Sequence, residues 1–199
     1  MPRPLDVAKR KADIARIAFD VLAQGGPSGL TIQAVAKELG GSVTKVTHIY
    51  PTRAELMRGT IELFVQRAEQ TIATNDRLTE TTEERLRIEL LAMIPVTAAA
   101  RLQERGRVAL ISDRDQESAR VFADEMERFA RTRLRAVLLP LIPEDRLEIA
   151  IDFCRSTVNG ISLSTVEHPD YWTQQRQEAI LNVAIAGLTR LQESGSFDV

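Results

Sequence analysis

Apolar residues recur at helical spacing along nearly the whole chain. In KRKADIARIAFDVLAQ, Ile14, Ile17, Ala18, Val21 and Leu22 fall at i, i+3, i+4, i+7 and i+8, one face of a helix. GGPSG, residues 25–29, breaks that pattern. The stretch is Gly-rich but lacks the GK[ST] of a phosphate-binding loop, so it reads as a turn. A second helix starts at Thr31, a residue suited to an N-cap, and carries Ile32, Val35, Ala36 and Leu39 inward. Gly40 stands where a helix end favours a left-handed residue. Ser42 then caps a short third helix, VTKVTHIY, with Val46 and Ile49 on its inner side. Pro51 ends it, because the residue before a proline avoids the helical region. Thr52 with Glu55 makes a capping box for a long fourth helix that carries Leu56, Ile61 and Val65.

The later segments keep the same period. They predict helices over roughly 82–100, interrupted by Pro95, then 102–111, 115–139, 144–166 and 173–193. No alternating strand pattern and no internal repeat is visible in the sequence. About nine helices in 199 residues predict an all-α protein. The first three helices, residues 1–52, are expected to form one domain, and residues 53–199 a larger helical one. Their join near Thr52 falls inside or beside a helix rather than in a loose linker, an arrangement that transmits movement.

Composition narrows the class. Apolar residues make up 44% of the chain and charged residues 27%, which places it among globular rather than disordered proteins. No run approaches the roughly 18–20 apolar residues of a membrane span. MPRPLDVAKRKAD lacks the apolar core of a secretory signal. The single cysteine, Cys154, rules out an internal disulfide, and with only His48 and His168 beside it no zinc site is expected. No cofactor motif is present, and the expected location is the cytoplasm.

Net charge is −2, but its distribution is uneven. Residues 1–58 hold nine Lys and Arg against five Asp and Glu, whereas 59–199 hold 17 against 23. All four lysines, Lys9, Lys11, Lys37 and Lys45, lie in the first 45 residues. A basic front on an acidic body fits a polyanionic partner.

The interruption at Gly40 and Gly41 explains itself in these terms. Two short helices joined by a tight glycine turn make a helix-turn-helix, whose last helix enters a DNA major groove while the one before it crosses the backbone. Ala36 allows the two helices to cross closely. Val43, Thr44, Lys45, Thr47 and His48 remain for DNA. Lys45 suits guanine O6 and N7, and Val43 or Thr44 a thymine methyl. Thr47, His48 and Tyr50 suit phosphates, as do backbone N–H groups at the helix starts capped by Thr31 and Ser42.

The stretch TIQAVAKELGGSVTKVTHIYPTRAEL resembles the signature of the TetR (tetracycline-repressor-like) family of bacterial transcriptional regulators. The matching features are Thr31, Ala36, Gly40, a short helix from Ser42 to Tyr50, the step Tyr50-Pro51-Thr52-Arg53, and Glu55-Leu56. Three positions depart from the family's pattern: Gly41 replaces an apolar residue, Val43 a common lysine and Thr47 a common tyrosine. The last two remove usual phosphate partners. These departures from the resemblance imply DNA binding that leans more on Lys45, His48, Arg53 and an N-terminal arm of Arg3, Lys9, Arg10 and Lys11, and that is weaker or more salt-sensitive than in other members of the family.

The same resemblance implies that the larger domain binds a ligand and dimerises. In 144–166 one stripe comprises Leu147, Ile151, Cys154, Val158 and Ile161, and a second Ile149, Phe153 and Leu163. Two apolar sides call for two packing partners, one of which can be a second subunit. The last helix offers Ile180, Val183, Ala184, Gly187 and Leu188, so a two-fold four-helix bundle is expected, and with it a near-palindromic operator. The expected effector is small and mainly apolar, lined by Met93, Val96, Phe122, Met126, Phe129, Phe153, Asn159 and Trp172. It acts by population shift, releasing the repressor from DNA. No GxSxG, HExxH, Walker or dinucleotide motif points to an enzyme. The competing reading is an all-helical interaction or adaptor domain whose DNA helix has degenerated.

Overall fold

A computed structural model describes residues 4–75, 81–111 and 115–193. Arg3 lies outside them. The described residues form nine α-helices and no strand. They are α1 (Pro4–Gly29), α2 (Ile32–Glu38), α3 (Val43–Thr47), α4 (Arg53–Asn75), α5 (Thr82–Ala92), α6 (Ala98–Ile111), α7 (Gln116–Leu138), α8 (Leu147–Glu167) and α9 (Gln174–Glu193). A single 3-10 turn, Glu144–Arg146, leads into α8. None of these helices is long and apolar enough to cross a membrane.

The sequence signals for helix ends act much as expected. Thr52 and Glu55 close a reciprocal capping box: the Thr52 N–H donates to Glu55 Oε2 at 3.2 Å, and the Glu55 N–H to Thr52 Oγ1 at 3.1 Å. Thr81 caps α5 by accepting from the Glu84 N–H at 3.2 Å. Pro95 lies in the break between α5 and α6, so the predicted 82–100 segment is two helices. The GGPSG breaker behaves differently from a plain turn. α1 runs through it to Gly29, but its axis breaks at Gly26, which takes φ 69° and ψ 179°. Only glycine adopts that conformation without strain. Pro27 then starts a final short turn with a φ it already holds.

By its contacts the chain divides into two compact units, and not at residue 52. The first takes Met1–Ile72 together with Leu102–Glu127; the second takes Ala73–Arg101 and Arg128–Val199. The physical reason lies in the first core. Ile14, Ala18, Leu30, Val35, Val46, Leu56 and Ile61 are buried together with Leu110, Val121 and Phe122 from α6 and α7. α1 with the two short helices α2 and α3 buries too little apolar surface alone, and α4, α6 and α7 complete them. The second core gathers Leu86, Leu90, Leu134, Leu138, Ile151, Cys154, Val158, Ile161, Leu181 and Leu188. Arg133 and Glu89 form an ion pair beside it, linking α7 to α5.

Candidate nucleic-acid interface

The turn between α2 and α3 is built by backbone bonds. Gly40 takes φ 62°, in the left-handed region. Its N–H donates to the Lys37 carbonyl at 3.0 Å, and the Gly41 N–H donates to the Ala36 carbonyl at 3.1 Å. These two bonds make a Schellman motif, which satisfies the last carbonyls of α2 and turns the chain sharply. Ser42 Oγ then accepts from the Thr44 N–H at 3.1 Å and opens α3. Thr31 Oγ1 does the same for α2, accepting from Ala34 at 3.0 Å. Val46 is fully buried and Ile49 packs partly against the same core, so α3 is anchored along its inner side.

Anchoring that side leaves the other in solvent. Val43, Thr44, Lys45 and His48 are exposed. Val43 keeps 43% of its surface exposed although it is apolar. The Lys45 side chain runs back along the turn: a Cβ placed on Gly41 stands 3.5 Å from its Cδ and 3.6 Å from its Nζ. Thr47 is half-buried, and its hydroxyl donates to the Thr44 carbonyl at 3.4 Å, within its own helix. The face offers one cation, one imidazole, one hydroxyl and one branched apolar group, a set that matches base edges and phosphates in a major groove.

Two residues expected at phosphates are turned inward. Tyr50 is only 4% exposed and belongs to the first core. Its hydroxyl points to the Lys11 carbonyl at 3.5 Å, and burial together with the Glu62 carboxylate raises its pKa. It fastens α3 to α1 and α4. Arg53 is likewise turned inward, at 15% exposure. Its Nε donates to the Leu30 carbonyl at 2.8 Å and one terminal nitrogen to Pro27 and Ser28 carbonyls at 3.3 and 3.2 Å. The other stands 3.6 Å from Asp115 Oδ2. The expected basic arm is also not an arm: Lys9, Arg10 and Lys11 lie in α1, and Lys11 Nζ sits 6.0 Å from the centre of the Tyr50 ring.

Known proteins share this architecture. A transcriptional regulator from Rhodococcus sp. Rha1 superposes with a TM-score of 0.70 at 21% identity, over 90% of this chain and 96% of that one. A second Rhodococcus sp. protein, assigned to the TetR family, gives 0.68 at 16% identity over 92% and 99%. The chain has the fold of the TetR-family transcriptional regulators. In sequence, it is similar to the HTH-type transcriptional regulator PksA of Bacillus subtilis, 32% identical over 98 residues. That match covers 48% of this chain, which spans about half of that protein (46%). No family model matches the chain.

Within this TetR-type fold the eight expected effector-lining residues are divided between the two units, Phe122 and Met126 in the first and the other six in the second. Phe122 and Met126 pack with the first core, whereas Met93, Val96 and Trp172 pack against the second. Phe129 is half-buried, and Phe153 and Asn159 are exposed on α8. Beside the second core a cavity lined by Leu86, Leu138, Ile142, Ile185 and Leu188 measures only about 10 Å³. Sequence reasoning missed Gln177, which is fully buried in the second unit. Its Nε2 donates to the Trp172 carbonyl at 3.0 Å, while its Oε1 has no partner among the described residues. The signal was present: Gln177 lies on one stripe with Leu181, Ala184 and Leu188.

The two apolar stripes of α8 separate as their spacing predicted. Leu147, Ile151, Cys154, Val158 and Ile161 are buried, and burial pushes the Cys154 thiol up to about 12. Ile149, Phe153 and Leu163 are exposed, as are Ile180 and Val183 on α9, the last at 70%.

Proposed function

We propose that this chain is a DNA-binding transcriptional regulator of TetR type, a repressor that reads a near-palindromic operator as a dimer and is released by a small, mainly apolar effector. One observation carries the reading: a short helix, fixed by a Schellman turn and the buried Val46, that leaves Val43, Thr44, Lys45 and His48 in solvent. The net positive charge of residues 1–58 supports it. Base readout falls to Val43, Thr44 and Lys45, and phosphate contact to His48 and the backbone N–H groups near Thr31 and Ser42. Thr47 contributes little in this reading, because its hydroxyl already serves its own helix.

Dimerisation is supported by the unpartnered apolar faces of α8 and α9, which lie on one contacting helix pair. The effector site is assigned to the second unit near Met93, Val96 and Trp172, with Gln177 Oε1 as an acceptor for a donor group on the ligand. In this reading the effector favours a state that does not fit the operator, and release from DNA follows as a population shift.

Selection from a random duplex library with purified protein tests the reading, repeated with Lys45→Ala. Enrichment of a palindrome that relaxes in the variant supports it. Failure to enrich any sequence at low salt sinks it and moves the adaptor reading forward.

A further inference from the structure

We propose that Asp115 and Arg53 act together as positioning residues for DNA recognition. The Asp115 carboxylate, fixed at the start of α7, holds the Arg53 guanidinium where it ties the α1–α2 connection to the first turn of α4. The inference rests on the DNA-reading function proposed above.

Arg53 is the first residue of α4 and follows α3 after a short connection. A guanidinium is a planar fork with donors in several fixed directions, so one side chain can join three segments. Here one edge takes the carbonyls of Pro27, Ser28 and Leu30. Pro27 and Ser28 belong to the last turn of α1, whose carbonyls lack the i+4 partners of a helix interior, and the Pro27 carbonyl also accepts from the Leu30 N–H at 3.3 Å. Leu30 immediately precedes Thr31, the cap of α2. The place where α2 begins is thus set from the start of α4. α3 packs on α2, so the reading face inherits that position.

Asp115 is held as firmly as the group it faces. Its Oδ1 accepts from the Ser118 N–H at 3.1 Å and its Oδ2 from the Ser118 hydroxyl at 2.6 Å. Ser118 is fully buried. The carboxylate therefore serves twice, as the cap of α7 and as a counter-charge 3.6 Å from Arg53. These two services are separable by substitution. Asparagine caps a helix as well as aspartate but carries no charge. Alanine at Ser118 weakens the cap and leaves the charge.

The test uses the full chain, the DNA sequence enriched by selection, and binding by fluorescence anisotropy alongside thermal melting. D115N is expected to weaken binding to that sequence about threefold to tenfold at low salt, with the loss shrinking as salt rises, while melting changes little. S118A is expected to melt lower yet bind within about twofold of the parent. R53Q is expected to weaken binding further, and D115N added to R53Q to cost nothing more. The proposal is overturned if D115N binds like the parent, if S118A and D115N lose binding equally, or if R53Q and D115N are additive. Should D115N fail to fold, the cap and not the charge is the essential service, which also overturns it. A parent chain that enriches no DNA sequence is a separate failure, that of the DNA-reading function itself.

Discussion

The Tyr50 ring rests directly on the backbone of Gly59. A Cβ at Gly59 stands 2.7 Å from both Cε1 and Oη of Tyr50, closer than any side chain tolerates. Tyr50 ends the segment that carries the recognition helix, and Gly59 lies in the second turn of α4. Gly59→Ala is therefore expected to push the ring away and destabilise the first unit by about 1–3 kcal/mol, although alanine is the better helix former. Tyr50→Phe keeps the ring and loses only a long hydroxyl contact of 3.5 Å, so it is expected to cost less than about 1 kcal/mol. Urea midpoints of the two variants check the order; a stabilised Gly59→Ala chain contradicts the contact.

Alkaline pH acts on both units through buried acids. The Cys154 thiol rises from 9.0 to about 12, and the Tyr50 phenol is raised above 10.0, each chiefly because burial disfavours the anion. Both groups hold their protons longer when folded than when unfolded. Their contribution to stability is complete below the unfolded pKa and is lost as pH rises toward the folded one. The Cys154 part is lost between pH 9 and about 12, at up to ~1.4 kcal/mol per pH unit. Unfolding midpoints measured from pH 8 upward are expected to fall in this window, and to fall less steeply in Cys154→Ser. A slope unchanged by that substitution removes Cys154 as the source.

Lys45 and Gly41 form the next testable pair. Gly41 is exposed, its φ is not left-handed, and a methyl there meets the Lys45 Cδ and Nζ at 3.5 and 3.6 Å, an ordinary van der Waals contact. Gly41→Ala is thus expected to leave melting nearly unchanged while the methyl packs on the folded-back lysine and narrows the positions its amine can take. Library selection with this variant should sharpen or change preference at the base pair lost in Lys45→Ala and leave other positions alone. A uniform change at every position points instead to a phosphate contact.

Much of this molecule is legible along the chain because helical period and caps are local. Thr31, Gly40, Ser42 and the Thr52–Glu55 box all act as their residue types predict. What escaped is long-range. Nothing in GGPSG tells that Gly26 faces Gly106, where a Cβ on Gly106 stands 2.8 Å from the Gly26 Cα. The first core's use of Leu110, Val121 and Phe122 is hidden in the same way. The inward turn of Tyr50 and Arg53 is not legible either, because residue type gives a side chain's chemistry and not its direction. An arginine beside open helix ends finds carbonyls before it finds DNA. Gln177 was overlooked for the opposite reason, that a polar residue on an apolar stripe is easily counted as surface.

The exposed apolar residues of α8 and α9 give the sharpest test of assembly. Ile149 is 55% and Val183 70% exposed, and such residues on neighbouring helices are costly to leave in water. If these faces meet a second copy, a charge at the centre of the contact is buried without a partner and splits the dimer. Val183→Glu is expected to shift the chain to a monomer in sedimentation or light scattering at micromolar concentration. The monomer's own stability should change by less than about 0.5 kcal/mol, because the side chain faces solvent in the single chain. Operator affinity should fall far more than one lost contact explains, since two linked reading heads bind with a high effective concentration and one head alone does not. A Val183→Glu chain that stays dimeric moves the interface elsewhere. A parent chain that is already monomeric, yet binds a palindrome, shows that DNA itself brings the two copies together.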